Sequence, residues 1–202
     1  QAHDVFSYFF NELNPPLALL DVSLHTFEHV RQNLPILFST IISVASRFLL
    51  PQHHRQCHRI AKSILNLAAA EEICSVDHIQ ALILVITWKD PGDRTILRKA
   101  VRAIGYAYEL GLHATFDELH TLEASSSGSR ARSDSYAMLR YKRRQERDRQ
   151  RTWIVLCLIH ELVRRDDRNT KPRARVIPPE DYPDPYTWIQ QGGDVLLPVD
   201  SR

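Results

Sequence analysis

The sequence predicts an all-α fold: an array of packed antiparallel helix pairs with a flexible loop and a Pro-rich irregular C-terminal segment. Three observations predict it. Apolar residues return at three- and four-residue steps through four successive segments between positions 34 and 112, the repeat of a helix face. Residues that start or stop helices punctuate those segments, among them Pro35, Pro51, Ser75, Pro91 and Gly111. Lastly, the stretch Arg143–Ile177 begins as a basic helix, passes Arg151-Thr152-Trp153 and turns into an apolar helical run.

The elements follow in order. Positions 1–33 are mixed: Val5–Phe10 is aromatic, Asn14-Pro15-Pro16 breaks the chain, and either a strand or a helical turn suits each side. Asp21 or Ser23 is placed to cap a short helix over Leu24, Phe27 and Val30. A buried helix over 34–50 takes Asn33 as its cap, Pro35 in its first turn, and Leu37, Ile41, Val44 and Phe48 as its face. A second, over 53–73, buries Ile60, Ile64, Leu67, Ala68 and Ile73. Ser75 caps a third, with Ile79, Leu82, Ile83, Val85 and Ile86 leading to Trp88.

After the breaker turn Asp90-Pro91-Gly92-Asp93, a fourth helix over 94–112 carries Leu97, Val101, Ile104, Ala107 and Tyr108. Gly111 suits a left-handed C-terminal cap, and Gly105 marks a close helix contact. The polar, Ser-rich stretch within about 117–135 has little to bury and reads as a flexible loop. A long helix over 136–165 follows. The tail, about 169–202, is punctuated by proline and anchored by Ile177, Tyr182 and Trp188.

With 202 residues and a net charge of +2, the chain suits a single helical domain, and any electrostatic partner must be met locally. Three cysteines without short spacing (Cys57, Cys74, Cys157) argue against a disulfide framework or zinc module. No apolar run reaches the roughly 18 residues of a membrane span. The start, without Met or a basic leader, reads as internal to a longer chain.

Several clusters hold side chains capable of chemistry. Arg140–Arg151 holds seven Lys or Arg and two acids. The acids interrupt the run and Tyr141 is its single aromatic, so it reads as a solvated helix face, with Arg147 and Arg151 one turn apart and able to clamp an acidic segment. His53, His54, Cys57 and His58 have metal-compatible helical spacing but no completing pair elsewhere. Cys157 lies in an apolar run and reads as a small core residue. Trp88 and Trp153 read as core anchors, with a pocket between them as the alternative. No nucleophile motif or phosphate loop is present.

Several stretches, in order, resemble one family. Phe9-Phe10-Asn11, Asn14-Pro15-Pro16 and His25-Thr26 match its opening. Leu34–Phe38 and Val44–Phe48 match its first helix. Val76–Leu82 leading to Trp88, Ala103-Ile104 with Glu109–His113, and Arg149-Gln150-Arg151-Thr152-Trp153 match its later helices. Over roughly residues 5–190 the chain resembles the fungal-specific transcription factor domain, or middle homology region, which accompanies zinc binuclear-cluster modules. Two departures stand out: His160 where the family often has Asp, and Lys171-Pro172-Arg173 where it often has Gly-Arg-Pro.

The resemblance implies a non-enzymatic, nuclear regulatory domain that modulates transcription through a small-molecule effector or transcription-machinery partners. DNA binding would fall to a separate module. No cofactor is expected in this chain; zinc belongs to an upstream cluster, and no six-cysteine set occurs here. The residues implied to matter are Arg149, Arg151, Trp153, His160, Pro172 and Arg173. The alternative is a helical protein–protein interaction scaffold outside transcription.

Overall fold

A computed structural model describes residues 1–114, 133–165 and 175–190. Helices account for the regular structure of those residues, as the periodicity predicts. The first is α1 (Ala2–Tyr8), continued by a π-helical turn (Phe9–Leu13) and the short α2 (Asn14–Leu17). The opening is therefore helical and not a strand. Pro15 and Pro16 remove backbone donors there, and the helix ends on Ala18 in the left-handed region (φ 52°). Asn14 then grips the chain as it leaves: its Nδ2 donates to the Leu20 carbonyl (2.9 Å) and its Oδ1 accepts from the Leu20 amide (3.0 Å).

Thr26 caps α3 (Phe27–Asn33), its hydroxyl accepting from the His29 amide. This corrects the expected caps at Asp21 and Ser23. Asp21 instead closes a local turn through the Ser23 amide (2.7 Å) and faces the long helix. Asn33 is likewise spent on the preceding helix, donating to the His29 carbonyl, so Leu34 occupies the cap of α4 (Pro35–Leu49).

Leu50 alone joins α4 to α5 (Pro51–Ala70). The two fold back as an antiparallel pair, with Ser43 and Ser46 both within hydrogen-bond distance of His54 across the turn. Leu37, Ile41 and Val44 are buried as predicted, while Phe48 is exposed near the hairpin end and packs edge-on against Trp88. On α5 the predicted stripe is split: Ala68 is buried and Ile64 packs half-buried on the core as predicted, with Ala61 beside them, while Ile60, Leu67 and Ile73 are exposed. Small alanines let α4 approach closely, and Ile60 and Leu67 are turned aside. The helix ends at 70 and not 73, because Glu72 turns left-handed and the Ile73 amide closes on the Ala68 carbonyl.

Ser75 caps α6 (Val76–Thr87) as predicted. Its stripe of Ile79, Leu82, Ile83 and Ile86 is buried, with Leu84 as well, so α6 is the central helix. It packs on α4, on α7 (Ile96–Glu109) and on the long α8 (Ser133–Arg164). Ile104 and Ala107 of α7 are buried, but Leu97 and Val101 lie on its open side. Gly111 is left-handed (φ 66°) beyond the end of α7, as expected, before a 3-10 turn (Leu112–Ala114).

Gly105 overturns its expectation: it is exposed and a Cβ there would meet no atom within 4 Å. The long helix begins at 133 and not 136, inside the stretch assigned to the loop. Most of that loop, Ser125–Ser129 included, lies outside the described residues. The C-terminal stretch holds a 3-10 turn (Pro179–Asp181) and a short α9 (Pro185–Gln190), so it is more regular than its prolines suggest. Ile177 and Trp188 are buried anchors and Tyr182 is half-buried, as predicted.

The two glycines should therefore respond oppositely to alanine. Gly105→Ala removes a helix-interior glycine with no steric cost and should stabilise by about 0.5–1 kcal/mol. Gly111→Ala forces a side chain into the left-handed region and should destabilise by about 1 kcal/mol. Urea melts of both variants check the pair of signs.

Candidate functional site

The predicted site residues converge on α8, and the structure puts them to uses the sequence did not announce. Trp153 is fully buried, with Tyr108 edge-on at 5.4 Å and its Nε1 donating to the Asp181 carbonyl (2.9 Å). Two turns on, His160 receives the Val176 amide on Nε2 (3.1 Å), so its proton sits on Nδ1 and faces the Tyr182 hydroxyl (2.8 Å). Tyr182 in turn donates to Glu161 (2.8 Å). Tyr108 donates to the Asp181 carboxylate (2.6 Å). These contacts clasp the segment 175–182 onto α8 and α7.

Arg149 donates to the Leu110 carbonyl (2.8 Å), where a cation suits the C-terminal end of α7. Arg151 is buried, with its guanidinium 5.7 Å from the Trp188 ring centre and Nη1 3.9 Å from Asp148. Pro172 and Arg173 lie outside the described residues.

The basic run is thus not a solvated face throughout. Arg147, Gln150 and Arg151 are buried, because α9 covers that side of α8, and Asp148 is buried on the other side. Arg147 stacks on Trp188 (3.8 Å to the ring centre) and donates to the Trp188 carbonyl (2.7 Å). Gln150 Oε1 accepts from Trp188 Nε1 (2.8 Å) and from Arg147 (3.2 Å). The expected clamp on an acidic segment is not what the pair forms: both guanidiniums sit over the Trp188 ring of the same chain, at 3.8 and 5.7 Å.

On the opposite flank, Gln80 of α6 donates to Asp148 (2.8 Å) and to Thr152 (3.1 Å). His25 stands 3.9 Å from the same carboxylate, and Arg144 reaches Asp21 at 3.1 Å. Burial pushes the Asp148 carboxyl above its ordinary range, and the neighbouring His25, Arg151 and Gln80 offset part of that rise while Asp21 adds to it. Asp148 and Gln80 line the floor of an open cleft of about 690 Å³, walled by Leu24, Leu34 and Val76 and rimmed by Lys142 and Arg143. Its mixed lining suits a small amphipathic molecule with a hydrogen-bond donor directed at the floor.

Sequence reasoning missed Gln80, Asp148, Thr152 and Asn14. Gln80 left a trace: it is a polar residue at a buried position of the α6 stripe. Trp88 and Trp153 have separate neighbours, Phe48 for one and Tyr108 with His113 for the other, and neither lines the cleft. Cys157 is buried and its thiol is pushed up to about 12 by burial, Asp181 and Glu161, which suits a core residue and not a nucleophile. Among the described residues, His53, His54, Cys57 and His58 form no cluster able to hold a metal, and His54 is engaged by α4. No described helix is long and apolar enough to cross a membrane.

Two outcomes follow. Trp153→Ala should cost about 3–5 kcal/mol, measured by thermal or urea melts, since it empties a buried site and frees the Asp181 carbonyl. His160 has a folded pKa below its ordinary value because burial outweighs Glu161, with Arg164 and Arg175 adding to the fall. The unfolded chain then takes up the proton first, so stability is held above about pH 6.5 and lost as pH drops below it. His160→Gln keeps an acceptor for the Val176 amide without titrating. Its Tm should fall less than the wild type's between pH 7.5 and 5.5, values flanking that ordinary pKa; parallel curves would exclude His160 as the group responsible.

Comparison with known proteins places the chain as follows. No family model matches it, and no solved structure matches it. It is 25% identical over 201 residues to Protein priB of Lentinula edodes, an alignment covering 97% of this chain and 30% of that protein. The chain thus spans less than a third of the length of the curated relative it matches.

Proposed function

We propose that this chain is the regulatory, middle homology domain of a fungal transcription factor, acting in the nucleus without enzymatic chemistry. It modulates transcriptional activity by binding a small effector or a protein partner, while DNA is held by a separate zinc-cluster module. The observation that carries this reading is the convergence of four of the resembling stretches, those holding His25, Leu34, Val76–Gln80 and Arg149, on one place. His25, the Val76–Gln80 turn and Arg149 line the cleft, and Thr152 and Trp153 anchor the helix beneath it. A ligand in the cleft would touch the N-terminal segment, α6 and α8 together, and so bias how they pack.

The fate of the basic run supports a division of labour with a separate DNA-binding module. Arg147 and Arg151 are buried, Arg144 is paired with Asp21, and Arg149 is spent on the end of α7. Few of its cations remain to neutralise phosphates, and weak neutralisation gives weak, shallow salt dependence. The interaction-scaffold alternative draws on a different observation, the exposed apolar residues of α5.

Two measurements test the reading. Duplex DNA titrated with this chain should show no binding at physiological salt; tight, steeply salt-dependent binding would overturn the separate-module arrangement. Fused to a heterologous DNA-binding domain and activator, the chain should change reporter output, and Asp148→Asn should alter that change. Output identical to that of the carrier alone would remove the regulatory assignment.

A further inference from the structure

The face of α5 turned away from α4 is the largest mismatch between what the sequence encodes and what the fold covers. Ile60, Ile64 and Leu67 recur at the i, i+4, i+7 spacing of a packing stripe, yet only Ile64 is half-buried against the core, while Ile60 is 48% exposed and Leu67 is 61% exposed. With α4 as its principal neighbour, the helix fully buries only alanines, Ala61 and Ala68, with Ile64 and Leu65 half-buried beside them. It is an edge helix of the array, with a stripe suited to one more helix.

Its charge is equally one-sided. From Pro51 to Ala70 there are three Lys or Arg (Arg55, Arg59, Lys62) and no Asp or Glu. All three cations are exposed, and none has an ion-pair partner among the described residues. Arg55 and Arg59 are one turn apart on the same side.

We propose that this face of α5 docks an acidic amphipathic helix of a protein partner. The partner's apolar stripe covers Ile60 and Leu67 and the exposed edge of Ile64 between them, and its flanking carboxylates meet Arg55, Arg59 and Lys62. A bilayer is the less suitable surface: no aromatic residue occurs from Pro51 to Ala70 to seat the helix at a lipid interface, and the stripe is only two turns long. The inference names the partner chemistry for the partner-binding arm of the proposed function. It stands on α5 alone, so it survives if the transcriptional reading fails.

The probe is a synthetic helix of about three heptads with leucine at the a and d positions and glutamate around them, fluorescently labelled. A twin carries lysine in place of every glutamate. Anisotropy titration should show binding of the acidic helix and not of the twin. The double variants Ile60→Glu/Leu67→Glu and Arg55→Glu/Arg59→Glu should each weaken it about tenfold or more, equal to about 1.4 kcal/mol. Leu158→Glu, on an exposed position of α8, should leave it unchanged. All these sites are exposed, so unchanged thermal melts confirm that the variants stay folded.

Absence of binding, equal binding of the twin, or insensitivity to Ile60→Glu/Leu67→Glu would overturn the proposal. Light scattering that shows a dimer dissolved by Ile60→Glu would reassign the face to a second copy. Binding to phosphatidylserine vesicles that the acidic helix fails to displace would reassign it to a membrane. The reporter assay reads a different property, so either result can fail without the other.

Discussion

The Asp148 carboxylate, buried where α8 meets α6, is the constraint on which the arrangement depends. A buried charge must be compensated or it is expensive to keep. Gln80 supplies the hydrogen bond, and His25 and Arg151 supply opposing or protonatable groups at 3.9 Å. Because these partners come from the N-terminal segment, α6 and α8 itself, satisfying one carboxylate fixes the mutual placement of three parts of the chain. Apolar packing alone tolerates sliding, whereas hydrogen-bond geometry does not.

A second set of contacts does the same for the C-terminal segment. Trp188 is held at ring, indole nitrogen and carbonyl at once, by Arg147 and Gln150. The segment before it is held by Trp153, Tyr108 and His160. Nearly every polar residue of α8 between Arg144 and His160 is thereby committed to another part of the chain. The basic run that reads as a solvated face is where many of the long-range polar bonds begin.

How much of this was legible in the sequence divides along physical lines. Helix identity was legible, because periodicity and punctuation are local: Ser75, Gly111 and the single-residue break at Leu50–Pro51 did what their chemistry predicts. Burial of the stripes on α4 and α6 was legible because those helices are covered on most sides. The stripes on α5 and α7 misled, since an amphipathic pattern states which residues could be buried and not whether a neighbour exists. The polar seam was illegible for the opposite reason. Nothing local distinguishes Arg147 over an indole ring from Arg143 in water; the difference is made by α9, about forty residues later.

The ion pair between Arg144 and Asp21 joins residues 123 positions apart. During synthesis, α1 to α7 therefore leave the ribosome well before the helix that completes their burial. The α4–α5 pair can close at once through Leu50, but Gln80, His25 and the apolar wall of α6 must wait for α8. In that interval the central helix offers an uncovered hydrophobic side, the condition under which nascent chains recruit chaperones or misassociate. The seam that makes the finished fold specific also makes its completion a late event in the life of the chain.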